Sequence, residues 1–313
     1  MAAPMQGYTQ AVFRHYHAAL FNTDQTDITY YSPFIRIEKG MPRKRDINDI
    51  TSPLNNNHTL IPQIICRDCD EFRVLVETIK QQGYNDIDLN MGCPFPPQVK
   101  HGRGSGLMAT AKELESICRL MNDMEDTRFS IKMRLGITRP DEWKQIIHIL
   151  NEMLLQHITV HPRTATQQYR GELHINQLET LMHDIRHNIV YNGEITSPEQ
   201  IITLQNTYPG LYGVMAGRGM LNRPTIFSEY TGIALRGEAP YVEAERNQAS
   251  LRLLRSIIIW QSEHLCGTNQ ILAHAIPMAL SMSENILDHK TIKQIKKVTS
   301  VQKLVDLITL PVV

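Results

Sequence analysis

The sequence predicts an α/β protein in which eight strand–helix units close into a (β/α)8 barrel, with a small all-helical domain after it. Three observations lead there. Eight short apolar or alternating runs recur at intervals of roughly 25 to 40 residues. Amphipathic segments of helical period lie between them, and after Leu235 the strand-like runs stop while the helical ones lengthen.

The predicted strands are Ala2 to Met5, Asp27 to Ser32, Leu60 to Ile65, Asp86 to Met91, Phe129 to Arg134, His157 to His161, Ile189 to Asn192 and Leu211 to Ala216. Helices are expected over Glu71 to Gln81, Ala111 to Met124, Glu142 to Met153, Ile175 to Asp184 and Pro198 to Gln205. Strict alternation of strands with helices implies a parallel sheet, and eight units favour the closed TIM barrel over an open doubly wound sheet. The barrel is expected over residues 1–235. A turn-rich piece around Gly237 to Pro240 separates it from a helical domain over 241–313, with segments Glu243 to Gly267, Gln270 to Leu287 and Thr291 to Ile308. In the last segment Ile292, Ile295, Val298 and Val301 follow helical spacing and Lys293, Lys296, Lys297 and Lys303 fall off that stripe, so one face reads as core and the other as basic.

The bulk composition is that of a soluble globular protein: 313 residues, 42% hydrophobic and 20% charged. The start has no signal-peptide pattern and no window is long and apolar enough to span a bilayer, which points to the cytoplasm. Five cysteines, Cys66, Cys69, Cys93, Cys118 and Cys266, are then expected to be reduced. Thirty-two basic residues balance thirty-two acidic ones, so any polyanion must be held by a local patch. The candidate patches are Arg36, Lys39, Arg43, Lys44 and Arg45, then Lys100, His101 and Arg103, and finally Lys290, Lys293, Lys296 and Lys297.

Chemistry in such a barrel gathers where strands end. The fourth run, Asp86 to Met91, stops on Gly92-Cys93-Pro94; glycine takes backbone angles closed to other residues and proline withholds an N–H, so the strand terminates and Cys93 turns outward. A thiol there can be an acid, a nucleophile or a buried apolar filler. Around the same ring fall Pro4-Met5-Gln6-Gly7, Gln63, Lys132 and Arg134, His161-Pro162-Arg163, Asn192-Gly193-Glu194 and Gly217-Arg218-Gly219. Glycine-bearing turns after strands seven and eight suit a phosphate, as in a phosphorylated cofactor. Alternation sends Lys132 and Arg134 to one face, where Lys132 either pairs with a carboxylate such as Asp88 or sits beside a cofactor atom that becomes negative. The lone Cys66-Arg67-Asp68-Cys69 spacing has no second pair, and His157 and His161 lie on a strand rather than in a helical zinc motif, so no metal is expected.

The ordered motifs Ala3-Pro4-Met5-Gln6-Gly7, Asn90-Met91-Gly92-Cys93-Pro94, Ile131-Lys132-Met133-Arg134-Leu135-Gly136, His161-Pro162-Arg163-Thr164, Asn192-Gly193-Glu194-Ile195 and the run from Gly213 to Leu221 resemble those of the tRNA-dihydrouridine synthase family, from Ala3 to about Phe227. The resemblance implies an FMN-dependent barrel whose helical tail helps grip tRNA, and NADPH-driven reduction of the 5,6 double bond of particular uridines. It implies Cys93 as proton donor. Pro4, Met5, Gln6, Gln63, Lys132, His161, Asn192, Gly193, Glu194, Gly217 and Arg218 would contact FMN, and Asn90 and Arg134 would hold the uracil. Met91 and Pro162 depart from the commoner N-C-G-C-P and H-G-R-T, and Glu194 stands where aspartate is commoner. The Glu194 variant resembles the bacterial subgroup acting on position 16 of tRNA. The resemblance leaves two competing expectations: a flavin barrel acting on a small dihydropyrimidine or enone, and an RNA-binding protein with a structural flavin.

Overall fold

The computed structural model describes residues 1–23 and 25–309. Among these residues ten strands appear: β1 (Tyr30–Tyr31), β2 (Ile35–Glu38), β3 (Met41–Pro42), β4 (Leu60–Ile61), β5 (Gln63–Ile65), β6 (Asp86–Met91), β7 (Arg128–Gly136), β8 (Leu155–Thr164), β9 (Ile189–Tyr191) and β10 (Gly213–Val214). The main sheet runs β10-β9-β8-β7-β6-β5-β2-β3, parallel except for the β2–β3 hairpin, and β1 pairs in parallel with β4. Ala2 closes the ring by bridging Tyr30 on one side and Ala216 on the other. Backbone bonds complete the seam, with Ala3 N–H donating to Ala216 O at 2.9 Å and Ala2 N–H to Thr29 O at 2.8 Å. The result is a (β/α)8 barrel with helices outside and a helical C-terminal region.

The predicted first strand contracts to Ala2 because Pro4 has no N–H to give a ladder and Met5 already turns, accepting from Tyr8 N–H at 3.1 Å. The run Leu60 to Ile65 breaks at Pro62 for the same reason, although the Pro62 carbonyl still accepts from Asp88 N–H at 2.9 Å. The β2–β3 hairpin lies outside the predicted elements. Its turn puts Lys39 and Gly40 at φ 53° and 80°, a conformation that the sequence signals only through the glycine.

Among the helices, Cys69–Gln81 begins on an Asp68 cap that accepts Glu71 N–H at 2.9 Å, and Pro198–Thr207 on Ser197 capping Gln200. The expected Glu142 to Met153 helix divides at Ile146 (φ −115°, ψ 1°) into a 3-10 turn and Ile147–Glu152. Thr291 to Ile308 also divides, into His289–Ile295 and Val301–Leu307, because the Ser300 side chain caps a new start by accepting Lys303 N–H. Ile292, Ile295 and Val298 are buried, and Lys293, Lys296, Lys297 and Lys303 are exposed.

The Ala11–Phe21 helix carries Arg14 and His17 on its buried face, which obscures its apolar stripe in the sequence. Both find partners in the core: Arg14 donates through its two terminal nitrogens to Thr9 O, Asp49 and Asn55, though its Nε has no partner among the described residues, while His17 meets Tyr30 OH at 2.6 Å and Pro224 O at 3.0 Å. Burial pushes the His17 pKa down to about 3, so the ring is neutral. The Glu243–His264 helix lies against this same helix, and one apolar cluster continues from Phe13 and Phe72 through Leu254, Met278 and Leu304. Gly237, left-handed at φ 65°, ends the Ile226–Arg236 helix ahead of that tail. The expected tail range 241–313 reaches past the described residues at 310–313. Among the described residues no helix is long and apolar enough to cross a membrane.

Gly219 shows how tightly the last two strand ends join. A Cβ there would lie 1.7 Å from the Ile195 carbonyl oxygen, backbone against backbone. Gly219→Ala is expected to cost about 3 kcal/mol or more through overpacking, read as a lowered thermal midpoint.

Candidate active site

Three layers of polar side chains fill the barrel, set by register and by the period-2 alternation of strands. Gln63, Asp88 and Ser130 sit opposite one another on β5, β6 and β7. Above them come Asn90, Lys132 and Thr159, and then Arg134 opposite His161 on β7 and β8. The alternate residues Ile87, Leu89, Ile131, Met133, Ile158 and Val160 face outward and are wholly buried beneath the helices. Chemistry is thereby confined to the interior and its carboxyl-end mouth.

Cys93 stands just past β6, half-buried. Asn90 Oδ1 accepts both Gly92 N–H at 3.1 Å and Cys93 N–H at 2.8 Å, while the Cys93 carbonyl accepts Ser105 N–H at 3.2 Å and Ser105 Oγ–H at 3.0 Å. Gly104, at φ 58°, lets this second turn approach, because a Cβ there would sit 2.8 Å from Cys93 Cβ. Burial pushes the thiol pKa up, and the Phe95 N–H, Arg134 and Lys132 pull against that shift. The thiol therefore keeps its proton at neutral pH. Ser105 and Gly104 lie in a Gly-Ser-Gly run that a reading of strand ends passes over.

The Lys132 side chain makes no ion pair or hydrogen bond with the described residues. Burial, and then Arg134, lower its pKa to about 8. Asp88, the carboxylate that the sequence offered it, is occupied: it accepts Gln63 Nε2–H at 2.7 Å and Ser130 Oγ–H at 2.6 Å. Opposite Lys132, the buried Thr159 hydroxyl also has no partner among the described residues. Burial, with Arg134, Lys132, Arg163 and Arg218 around it, drives the His161 pKa far down and leaves a neutral imidazole.

The remaining expected contacts divide into two groups. Gln63 is sealed at 0% exposure, and Asn90 Nδ2 donates to its Oε1 at 2.7 Å. Arg134, nearly as buried, donates through Nε to Gly92 O at 2.9 Å and through Nη1 to Thr164 O at 2.8 Å, so it braces the cysteine turn. Pro4, Met5 and Gln6 lie on the opposite rim. Gln6 is exposed and donates to Phe34 O at 3.0 Å, and Met5 borders Gly217. Asn192 Nδ2 donates to Met215 O at 2.7 Å, tying strand end seven to eight. Beyond it Gly193 is buried, and Glu194 holds a left-handed φ of 45° and accepts from Arg163 Nη2 at 2.5 Å. Arg218 approaches the same carboxylate at 3.9 Å and stays half-exposed. Tyr169, in the loop after β8, lies under two guanidiniums, Arg134 at 5.4 Å and Arg218 at 4.8 Å from its ring centroid. No periodicity marks a loop tyrosine. Ser130 and Thr159, by contrast, alternate onto the Lys132 face and could have been read.

Among the described residues no group of three or more His, Cys, Asp or Glu side chains is arranged to hold a metal.

A closed parallel barrel whose mouth gathers a protonated thiol, an unpaired lysine and a neutral histidine is the frame of a barrel enzyme. The family follows from the match of the chain over residues 1–309 to the dihydrouridine synthase profile: this protein belongs to the dihydrouridine synthase family. It is similar to a probable tRNA-dihydrouridine synthase of Staphylococcus epidermidis, 27% identical over 235 residues that cover 72% of this chain and 70% of that one. Probable tRNA-dihydrouridine synthase 2 of Bacillus subtilis is likewise 27% identical over 238 residues, with 72% and 70% covered. Among solved structures, morphinone reductase shares the fold at a TM-score of 0.50 and 10% identity, covering 77% of this chain and 86% of its own.

Proposed function

We propose that this protein reduces the 5,6 double bond of specific uridines in tRNA to dihydrouridine, with FMN in the barrel mouth, NADPH as electron donor and Cys93 as the acid. The observation that carries the reading is a half-buried, protonated thiol sharing one barrel mouth with Lys132, a half-buried cation that has no partner among the described residues. The residues present fit FMN. The Lys132 ammonium and the Thr159 hydroxyl offer donors that no described residue uses, suited to an anionic ring edge. Arg218 and the backbone at Gly193, Glu194 and Gly217 form the strand-seven and strand-eight rim where a phosphate would lie. Pro4, Met5, Gln6 and His161 would border the ring, with Gln63 supporting it from below and Asn192 joining the two rims.

FMN, when bound, supplies the hydride for C6 of the uracil. Cys93 then gives its proton to C5, and its raised pKa ensures that the proton is present. Lys132 stabilises the negative charge that accumulates beside it in a water-poor site. Asn90 and Arg134, already braced against the cysteine turn, would border the uracil. The base must leave its stack to reach this depth, at a cost of a few kcal/mol. Lys293, Lys296 and Lys297, exposed on the helical tail of an expected domain over 241–313, would hold tRNA phosphates, so binding weakens with salt. A tRNA substrate agrees with the expected location in the cytoplasm, and no metal enters the scheme.

The test is reconstitution. Purified protein given FMN, NADPH and unmodified tRNA should turn yellow and form dihydrouridine, mapped by mass spectrometry, with position 16 the site to which Glu194 points. A protein that takes up no FMN, or a yellow one that forms no dihydrouridine, would refute the reading. Charge reversal at Lys293, Lys296 and Lys297 should weaken tRNA binding about tenfold or more and flatten its salt dependence by about three charges.

A further inference from the structure

We propose that Asp88, sealed beneath the mouth, is a positioning residue: it fixes the direction of two amide side chains, Gln63 beside it and Asn90 above, and, through them, the orientation of the Cys93 peptide. This rests on the reading of Cys93 as the acid. Asp88 is 0% exposed, with Gln63 Nε2 on one oxygen and Ser130 Oγ on the other. A carboxylate only accepts. Gln63 must therefore turn its NH2 down to Asp88 and its carbonyl up, where it accepts Asn90 Nδ2–H at 2.7 Å.

That bond in turn points Asn90 Oδ1 toward the strand end, where it accepts Gly92 N–H and Cys93 N–H. Flipping Gln63 would set its oxygen against Asp88 Oδ2 and its NH2 against the NH2 of Asn90, two repulsive contacts in a medium of low dielectric. One ionised group thus sets the polarity of a chain that ends on the reactive turn. Lys132 faces the carboxylate from β7, and the Tyr31 phenol lies near it. Burial raises the Asp88 pKa to about 6, which leaves it ionised at neutral pH. A neutral amide at this position could donate or accept and would not dictate the direction of Gln63.

The test is Asp88→Asn, which keeps the shape and removes the charge. In the FMN-loaded enzyme, single-turnover oxidation by tRNA should slow about tenfold or more as the thiol is misplaced. Reduction by NADPH and the KM for tRNA should stay within about threefold, the split expected of a step-specific loss. In the ligand-free protein, alkylation of Cys93 by iodoacetamide, followed by peptide mass spectrometry, should rise about threefold as the turn loosens, while the buried Cys66 and Cys118 keep their rates. In an Asn90→Ala background, Asp88→Asn should add less than about twofold, because the two act along one chain. Ser130→Ala, which takes one partner from Asp88, should shift both readouts in the same direction and serves if Asp88→Asn does not fold. Unchanged Cys93 alkylation in these variants, or additive effects of Asp88 and Asn90, would overturn the proposal. Failure of the wild type to make dihydrouridine would overturn the proposed function instead, and the alkylation readout would still decide the role of Asp88.

Discussion

Replacing Cys93 with alanine is expected to slow dihydrouridine formation by about 10²- to 10⁴-fold, the usual contribution of a positioned acid. Flavin content and NADPH-driven flavin reduction should be unchanged, since the thiol has no part in either. The deficit should appear in kcat and kcat/KM alike, as it does when an interaction made only in the transition state is removed. The structure supplies the conditions for so large an effect. Asn90 and Ser105 hold the two ends of the Cys93 peptide, Arg134 braces Gly92, and burial keeps the thiol protonated. Cys93→Ser keeps a donor of the same shape but far weaker acidity, and should recover only part of the rate. Wild-type single-turnover rates in Cys93→Ala would show that the proton comes from elsewhere.

Replacing Lys132 with methionine should act in opposite directions on binding and on stability. FMN affinity should fall about 10- to 100-fold, the worth of a charged hydrogen bond in a buried site, measured by flavin fluorescence titration. The ligand-free protein should become more stable by about 2 kcal/mol, because a cation without a partner leaves the interior. The pH dependence follows from the sign of the shift. The Lys132 pKa is lowered to about 8 in the folded protein from 10.5. The unfolded chain thus holds the proton more tightly, and the folded state bears the whole cost below pH 8. That cost is relieved as pH rises toward 10.5. Denaturant melts of the two proteins should therefore differ most at neutral pH and converge near the top of that window. A methionine variant that binds FMN as tightly as the wild type would remove Lys132 from the cofactor's surroundings.

The barrel was legible because its long central strands obey one rule. Asp86 to Met91 appears in the structure as read, and the runs around Lys132 and His161 are strands that extend a few residues further. Prolines blurred the edges. Pro4 and Pro62 shortened staves that apolar content alone had drawn longer, and Ser300 cut a helix whose hydrophobic spacing was unbroken. The Ala11–Phe21 helix was obscured by Arg14 and His17, polar residues that bond its neighbours in the core.

The sequence by itself determined the strand–helix order, the turn at Cys93, the inward alternation of Lys132 and Arg134 and the ring of polar strand ends. Each follows from backbone period and local sterics, which act over a few residues. Tertiary structure alone decided partnership. Gln63 and Ser130, from two other strands, bond Asp88, while Lys132 has no partner among the described residues; Arg134 braces Gly92; Ser105 reaches back to Cys93; and Tyr169 comes to lie beneath Arg134 and Arg218. These contacts join residues far apart in the chain. The register and closure of the barrel set which groups meet, and local sequence pattern carries no record of that.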